Sequence, residues 1–279
     1  MSDKKVVVMH RDMDGWAAAA IVPDVDTYYG VGYNFDKQME LLNICGGRDV
    51  VIVDFSFPEN TMKNLKDVAK SLTWIDHHES SKGLLEMGLP GIHDVTKAGC
   101  WLAWEYYHPG EEMPKAVFHV GDRDIWTFTD PDTKAFCFGA SNLPGIDDPG
   151  SPTWQSLVAG EFYAEVLEGG RFVETAINTD NIWRKRTGVY RDKDLFLVNA
   201  TAHISELADM LLNEYGMDNL IIVWRVNKHG IDLSFRGKGA REMAESLGGG
   251  GHERASGAKL PLKEGMALVT ELMGQMYPA

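Results

Sequence analysis

The chain has 279 residues, with 27 basic and 41 acidic side chains for a formal charge of −14, and the 44% hydrophobic and 24% charged content of a globular protein. That charge excludes a general coat for long duplex nucleic acid, whose affinity rests on a basic surface that neutralises phosphates. No apolar run approaches the roughly 18 residues that span a bilayer, and Cys45, Cys100 and Cys137 lie far apart with no CxxC pair, so no membrane span or disulfide framework is expected and a reducing, cytoplasmic setting is. From the start, KKVVVMH (Lys4–His10) predicts a buried strand rather than a signal-peptide core, and GWAAAAIV after it a helix. DVVIVDFS (Asp49–Ser56) predicts a second strand, PENTMKNLKDVAKS (Pro58–Ser71) a helix with proline in its first turn, and LTWIDHH (Leu72–His78) a third strand. AGCWLAWEYY and PKAVFHVGDRDIW predict further helices.

Apolar strands alternating with helices imply an α/β domain with a parallel sheet covered on both faces, taken as residues 1–152. Residues 153–192 read as a helical linker, in which WRKR (Trp183–Arg186) is a solvated helix end. Residues 193–279 predict a smaller mixed α/β domain. Its elements are a strand at DLFLVNA, a helix around ISELADMLLNEYG, a hairpin turning near Asn227–Gly230, a helix at AREMAESLG, a glycine run, a strand at ASGAKLPL and a last helix.

Acids and imidazoles collect where the strands end. The first strand ends in HRDMDG, with His10, Asp12 and Asp14; the second in Asp54; the third in Asp76, His77 and His78. In an open α/β sheet these carboxyl ends share one edge, the edge that binds ligands. A single strand-end Asp is ordinarily a helix cap or turn former. Three such ends together crowd carboxylates that cost several kcal/mol each if buried unpaired, roughly. Divalent cations relieve the repulsion: mixed imidazole and carboxylate ligation suits Mn²⁺, Fe²⁺, Co²⁺ or Zn²⁺, and oxygen-rich sites favour Mn²⁺ or Mg²⁺. A fourth acidic stretch, GDRDIW, offers Asp122 and Asp124.

HRDMDG, Asp54, the DHH of Asp76–His78 and Asp122 together resemble the four motifs of the DHH phosphoesterase superfamily, and GGGGHERASGA (Gly248–Ala258) resembles the signature of the DHH-associated C-terminal domain. The match runs in order along nearly the whole chain, with the flavour of the oligoribonuclease and cyclic-nucleotide phosphodiesterase branch. The resemblance implies a metal-dependent phosphohydrolase with two divalent ions, Mn²⁺ foremost, with Mg²⁺ or Co²⁺ as alternatives. It implies that His10, Asp12 and Asp54 hold one ion and that Asp14, Asp54, His77 and Asp122 hold the other; Asp122 is preferred to Asp124 by its place in the motif. His78 is then a general acid or phosphate contact, and Asp76 a ligand or the group that orients the neighbouring imidazoles.

In the second domain Arg236, Lys238, Gly249, Gly250, Gly251 and His252 form a local basic, glycine-rich patch that the resemblance assigns to the far end of the substrate, although glycines alone also fit a flexible loop. The implied substrates are short single-stranded oligonucleotides or dinucleotides, cut to mononucleotides. A nucleoside 3′,5′-bisphosphate or a cyclic nucleotide is the alternative substrate, and a catalytically inactive nucleotide-binding regulator the alternative of another class. A homodimer is compatible with all of these. Among aromatics that might stack on bases, Trp101, Trp104 and Trp126 read as core residues, which leaves Trp16 and Phe57, beside the acidic motifs, as candidates.

Overall fold

Val6, Val7 and Val8 alternate between the two faces of β1 (Lys5–His10), and all three are fully buried, so both faces of this strand are covered. The computed structural model describes residues 5–32 and 35–278. It sets β1 in a five-stranded parallel sheet with β2 (Thr27–Val31), β3 (Asp49–Val53), β4 (Ser71–Asp76) and β5 (Gly91–His93), in the order β2-β1-β3-β4-β5. Helices follow the strands: α1 (Met13–Ile21), α2 (Gln38–Cys45), α3 (Glu59–Val68), α4 (Gly99–Tyr107), α5 (Lys115–Asp124), α6 (Thr133–Ala140) and α7 (Pro152–Val158). Val7, Met9, Val51, Val53 and Ile75 pack on one face with Ala17, Ala18, Leu102 and Val117. Val6, Val8, Val50, Ile52 and Trp74 pack on the other with Leu41, Met62 and Leu65. All three cysteines are buried thiols.

The topology positions the site. The chain goes from β1 outward to β2 and then returns past β1 to β3, so strand order reverses between β1 and β3. Beyond the carboxyl ends at such a reversal the connecting segments diverge and leave a crevice, the usual ligand site of open α/β sheets. The register pairs Met9 with Val53 and Val53 with Ile75, which brings His10, Asp54 and Asp76 level at that edge.

The chain divides into two compact units, Met1–Glu174 and Thr175–Ala279, and the division falls inside the 26-residue α8 (Tyr163–Gly188). The stretch read as one linker helix is two helices: α7 ends at Val158, and Gly160 and Phe162 then adopt left-handed backbone before α8. No helix among the described residues is long and apolar enough to cross a membrane.

The second unit holds a seven-stranded mixed sheet of β6 (Val189–Asp192), β7 (Leu195–Asn199), β8 (Leu220–Asn227), β9 (Gly230–Gly237), β10 (Gly250–His252), β11 (Ala255–Leu260) and β12 (Tyr277–Pro278). Among the described residues of this sheet, only β7 and β8 pair in parallel. The helix α9 (Ile204–Tyr215) covers one face through Leu207, Ala208 and Leu211; α10 (Ala240–Ser246) and α11 (Leu262–Gln275) cover the other through Ala240, Ala244 and Val269. The hairpin turn lies where the sequence puts it, with Asn227 opposite Gly230.

Candidate metal centre

Asp12 fills the ordinary role and a second one together. Its Oδ1 accepts from the Gly15 amide at 2.9 Å and caps α1, while Oδ2 lies 2.5 Å from His10 Nδ1. In the first turn of α1, Asp14 is buried, and the first amides of α4 hold its carboxylate: Gly99 N donates to Oδ2 at 2.7 Å and Cys100 N to Oδ1 at 3.0 Å. A helix N-terminus favours negative charge there. A Cβ on Gly99 would come within 2.7 Å of Asp54 Cβ and 2.8 Å of Asp14 Oδ2. Nothing in the sequence pattern marks Gly99, yet only a glycine lets α4 approach this closely. Gly99→Ala is expected to cost about 1–3 kcal/mol through overpacking, read as a lower denaturant midpoint at unchanged slope.

Asp54 leaves β3 in left-handed backbone, φ +52°, a conformation Asp tolerates better than most residues. Its Oδ1 lies 3.1 Å from His77 Nε2 and its Oδ2 3.8 Å from His10 Nδ1. Asp54 is buried, and Oδ2 has no hydrogen-bond partner. Burial and the charges of Asp14, Asp12, Asp124 and Asp76 push its carboxyl well above the usual range.

Asp76 is different. Ser56 Oγ donates to its Oδ2 at 2.5 Å and Ser81 Oγ at 2.8 Å, while Oδ1 accepts from the His77 amide at 2.8 Å and lies 2.7 Å from His78 Nδ1. Both oxygens are thus occupied inside the protein. Asp76, expected as a ligand or an orienting group, makes its bonds to Ser56, Ser81, His77 and His78. Burial alone would raise its carboxyl, but the bonds from His78, Ser56 and Ser81 outweigh that and lower it. The network extends outward: Trp74 Nε1 donates to Ser56 Oγ at 2.9 Å, and His93 Nε2 lies 3.0 Å from Ser81 Oγ. Sequence reading missed Ser56, Ser81 and His93, which carry no spacing signal.

Of the two acids in GDRDIW, the structure brings Asp124, and not the preferred Asp122, to His77. Asp124 Oδ2 lies 3.5 Å from His77 Nε2 at the end of α5. Asp122 is fully buried, and its carboxylate is enclosed by hydroxyls: Thr127 and Thr129 Oγ1 donate to Oδ1 at 2.7 and 2.8 Å, and Thr133 Oγ1 to Oδ2 at 2.6 Å. Two residues along a helix turn a side chain by about 200°, so only one of the pair can face the crevice.

Among the described residues three groups of potential ligands result, with donor atoms within 4.8 Å of one another: His10, Asp12 and Asp54; Asp54, His77 and His78; and Asp14, His77 and Asp124. The donor set fits divalent cations. An orphaned buried carboxylate oxygen needs a positive partner, and the donors are the carboxylate and imidazole mixture that suits Mn²⁺ and its neighbours. Burial lowers His77, favouring the neutral imidazole that can ligate. His78 is raised instead: burial opposes protonation, but the Asp76 bond outweighs it.

In the second unit, Arg236 on β9 donates to the Phe235 carbonyl at 2.9 Å and to Ser205 Oγ at 3.2 Å. Lys238 Nζ lies 3.7 Å from Asp218. Gly249, Gly250 and Gly251 are not a loose loop: Gly250 and Gly251 belong to β10 and pair with Gly257 and Ser256 of β11. The His252 side chain lies outside the described residues, as does that of Arg186 in WRKR. Arg184 and Lys185 of that stretch pair with Asp180 and Glu214.

Trp101 and Trp104 pack in or against the first core as expected, whereas Phe57 and Trp126 differ from the reading. Phe57 is only 4% exposed, inside a cluster with Phe35 and Phe55, and Trp16 packs against the first core. Trp126, read as core, is 37% exposed.

Residues 197–276 match the DHHA1 domain family. Among solved structures, the chain is similar to the pGpG-specific phosphodiesterase PggH from Vibrio cholerae, with a TM-score of 0.58 and 14% identity over 98% of each chain. It is also similar to the exonuclease RecJ bound to manganese, with a TM-score of 0.52 and 13% identity over 99% of this chain and 91% of that one. With a parallel-sheet unit that carries the acid and imidazole edge, followed by a stretch that matches the DHHA1 domain, the chain shares the fold of these structures. Its curated relative is an uncharacterized protein, R106, of Acanthamoeba polyphaga mimivirus, 23% identical over 238 residues. That alignment takes in 79% of this chain and 55% of R106, so the chain spans about half the length of the curated relative it matches.

Proposed function

We propose that the protein is a two-metal phosphodiesterase that cuts short oligonucleotides, dinucleotides above all, to mononucleotides. One observation carries the reading: the buried Asp54 carboxylate, with one oxygen unpartnered, lies between His10 and His77 at the strand-order reversal. His10, Asp12 and Asp54 would hold one cation, and Asp14, His77 and Asp124, with Asp54 shared, the other. When bound, two such ions activate water and offset charge on the phosphoryl oxygens. The phosphodiesterase named for PggH and the exonuclease named for RecJ agree with this chemistry, and RecJ's manganese with the metal.

The chain's own residues supply the rest. Asp14 is fixed by α4, so the ligand edge is set before anything binds. Asp76 holds His78 by Nδ1, and the imidazole so oriented is the proposed proton donor to the leaving oxygen. Arg236, Lys238, the Gly249–Gly251 backbone and His252 are the proposed contacts for the remaining phosphate or terminal hydroxyls.

The test is product analysis on a ladder from dinucleotide to ten-mer, with Mn²⁺, Mg²⁺ or Co²⁺ added in turn and an adenosine bisphosphate run beside it. Mononucleotides released fastest from the shortest members, and nothing released after chelation, is the expected result. Phosphate released from the bisphosphate with every oligomer left intact would replace this reading with a phosphomonoesterase.

A further inference from the structure

The segment IWTFTD (Ile125–Asp130) follows Asp124 directly, and the hydrolysis described above makes no use of it. Trp126 and Phe128 both adopt left-handed backbone, φ +58° and +47°, which bulky residues rarely do. The buried Asp122 imposes it. Thr127 and Thr129 donate their hydroxyls to its Oδ1 at 2.7 and 2.8 Å, the Thr129 amide adds a bond at 2.9 Å, and the Thr127 amide donates to the Asp122 carbonyl at 3.1 Å. With alternate residues pinned to the carboxylate, the intervening aromatics are displayed as a pair. The rings of Trp126 and Phe128 meet edge to face, 4.8 Å between centroids, and Lys134 Nζ lies 4.4 Å from the Phe128 centroid.

A tryptophan needed only for packing would be buried; this one is 37% exposed, on a backbone strained to present it. At most ~7 Å of chain separates it from Asp124, comparable to the reach from a nucleotide's phosphate to its base. We infer that Trp126, buttressed by Phe128, is the stacking surface for the nucleobase beside the scissile phosphate, and so selects base-bearing phosphodiesters over bare ones. The inference rests on the nucleotide reading above.

Calorimetry with a dinucleotide carrying a non-hydrolysable methylenephosphonate linkage, and with its abasic counterpart, tests it in the Mn²⁺-loaded protein. Trp126→Ala is expected to raise the dinucleotide Kd about 10–100-fold and leave the abasic Kd within about twofold, with Trp126→Phe close to wild type. An alanine variant that binds the dinucleotide as wild type does, or that loses both compounds equally, overturns the inference. Wild-type protein that binds the dinucleotide no tighter than the abasic compound overturns it while sparing the nucleotide reading; wild-type protein that binds neither defeats both.

Discussion

Asp54→Asn is expected to lower phosphodiester hydrolysis by about 10³-fold or more, since metal-assisted charge stabilisation is worth several kcal/mol and each ~1.4 kcal/mol is tenfold. The fold should survive. In metal-free protein the Asp54 carboxyl is pushed up by burial and by neighbouring carboxylates, so the folded state holds its proton more tightly than the unfolded state does. The sign follows: stability falls as pH rises past the ordinary carboxylate pKa of about 4 toward the raised folded value. The metal-free wild type should therefore melt lower at neutral pH than under mildly acidic conditions. Mn²⁺ should restore the loss by binding the folded state, and the asparagine variant should show a flatter profile with a smaller response to Mn²⁺. Thermal denaturation with and without chelator reads all three. A variant as active as wild type would remove Asp54 from the machinery.

The second large effect separates two acids that lie two residues apart. Asp124→Asn should cost about 10²-fold or more in kcat/KM with little change in the metal-free melting temperature, because its carboxyl is itself raised by desolvation and by Asp14 and Asp12 and contributes repulsion. Asp122→Asn should chiefly cost stability. Hydrogen bonds from Thr133, Thr127 and Thr129 outweigh burial and hold its carboxyl down at about 2. A depressed carboxyl stabilises the fold above its unfolded pKa and loses that contribution as pH falls through the folded one. At neutral pH this shift corresponds to about 2 kcal/mol, measurable by urea titration. Equal kinetic losses with equal stability losses in both variants would contradict the assignment.

The strand ends were the most legible part of the sequence. Val6–Val8 and Val50–Val53 are apolar on both faces, which marks buried parallel strands, and the acids that follow them share an edge because parallel strands all end together. The edge strands β2 and β5 were not legible: β2 is half-exposed and β5 has three residues, too few for a pattern. The choice between Asp122 and Asp124 needed helix phase relative to a crevice, which motif position does not contain. Ser56 and Ser81 reach Asp76 only through tertiary placement. Trp126 lies beside a helix-like run, so its exposure depends on the left-handed turn that Asp122 imposes from within the fold.

The proposed function requires two dications at the edge formed by His10, Asp12, Asp14, Asp54, His77 and Asp124. Anomalous diffraction at the manganese absorption edge, from crystals grown with MnCl₂, measures it directly. Two peaks are expected, one among His10, Asp12 and Asp54 and one among Asp14, His77 and Asp124, with Asp54 touching both. Crystals with no anomalous peak at this edge, or with manganese bound only elsewhere on the chain, would contradict it.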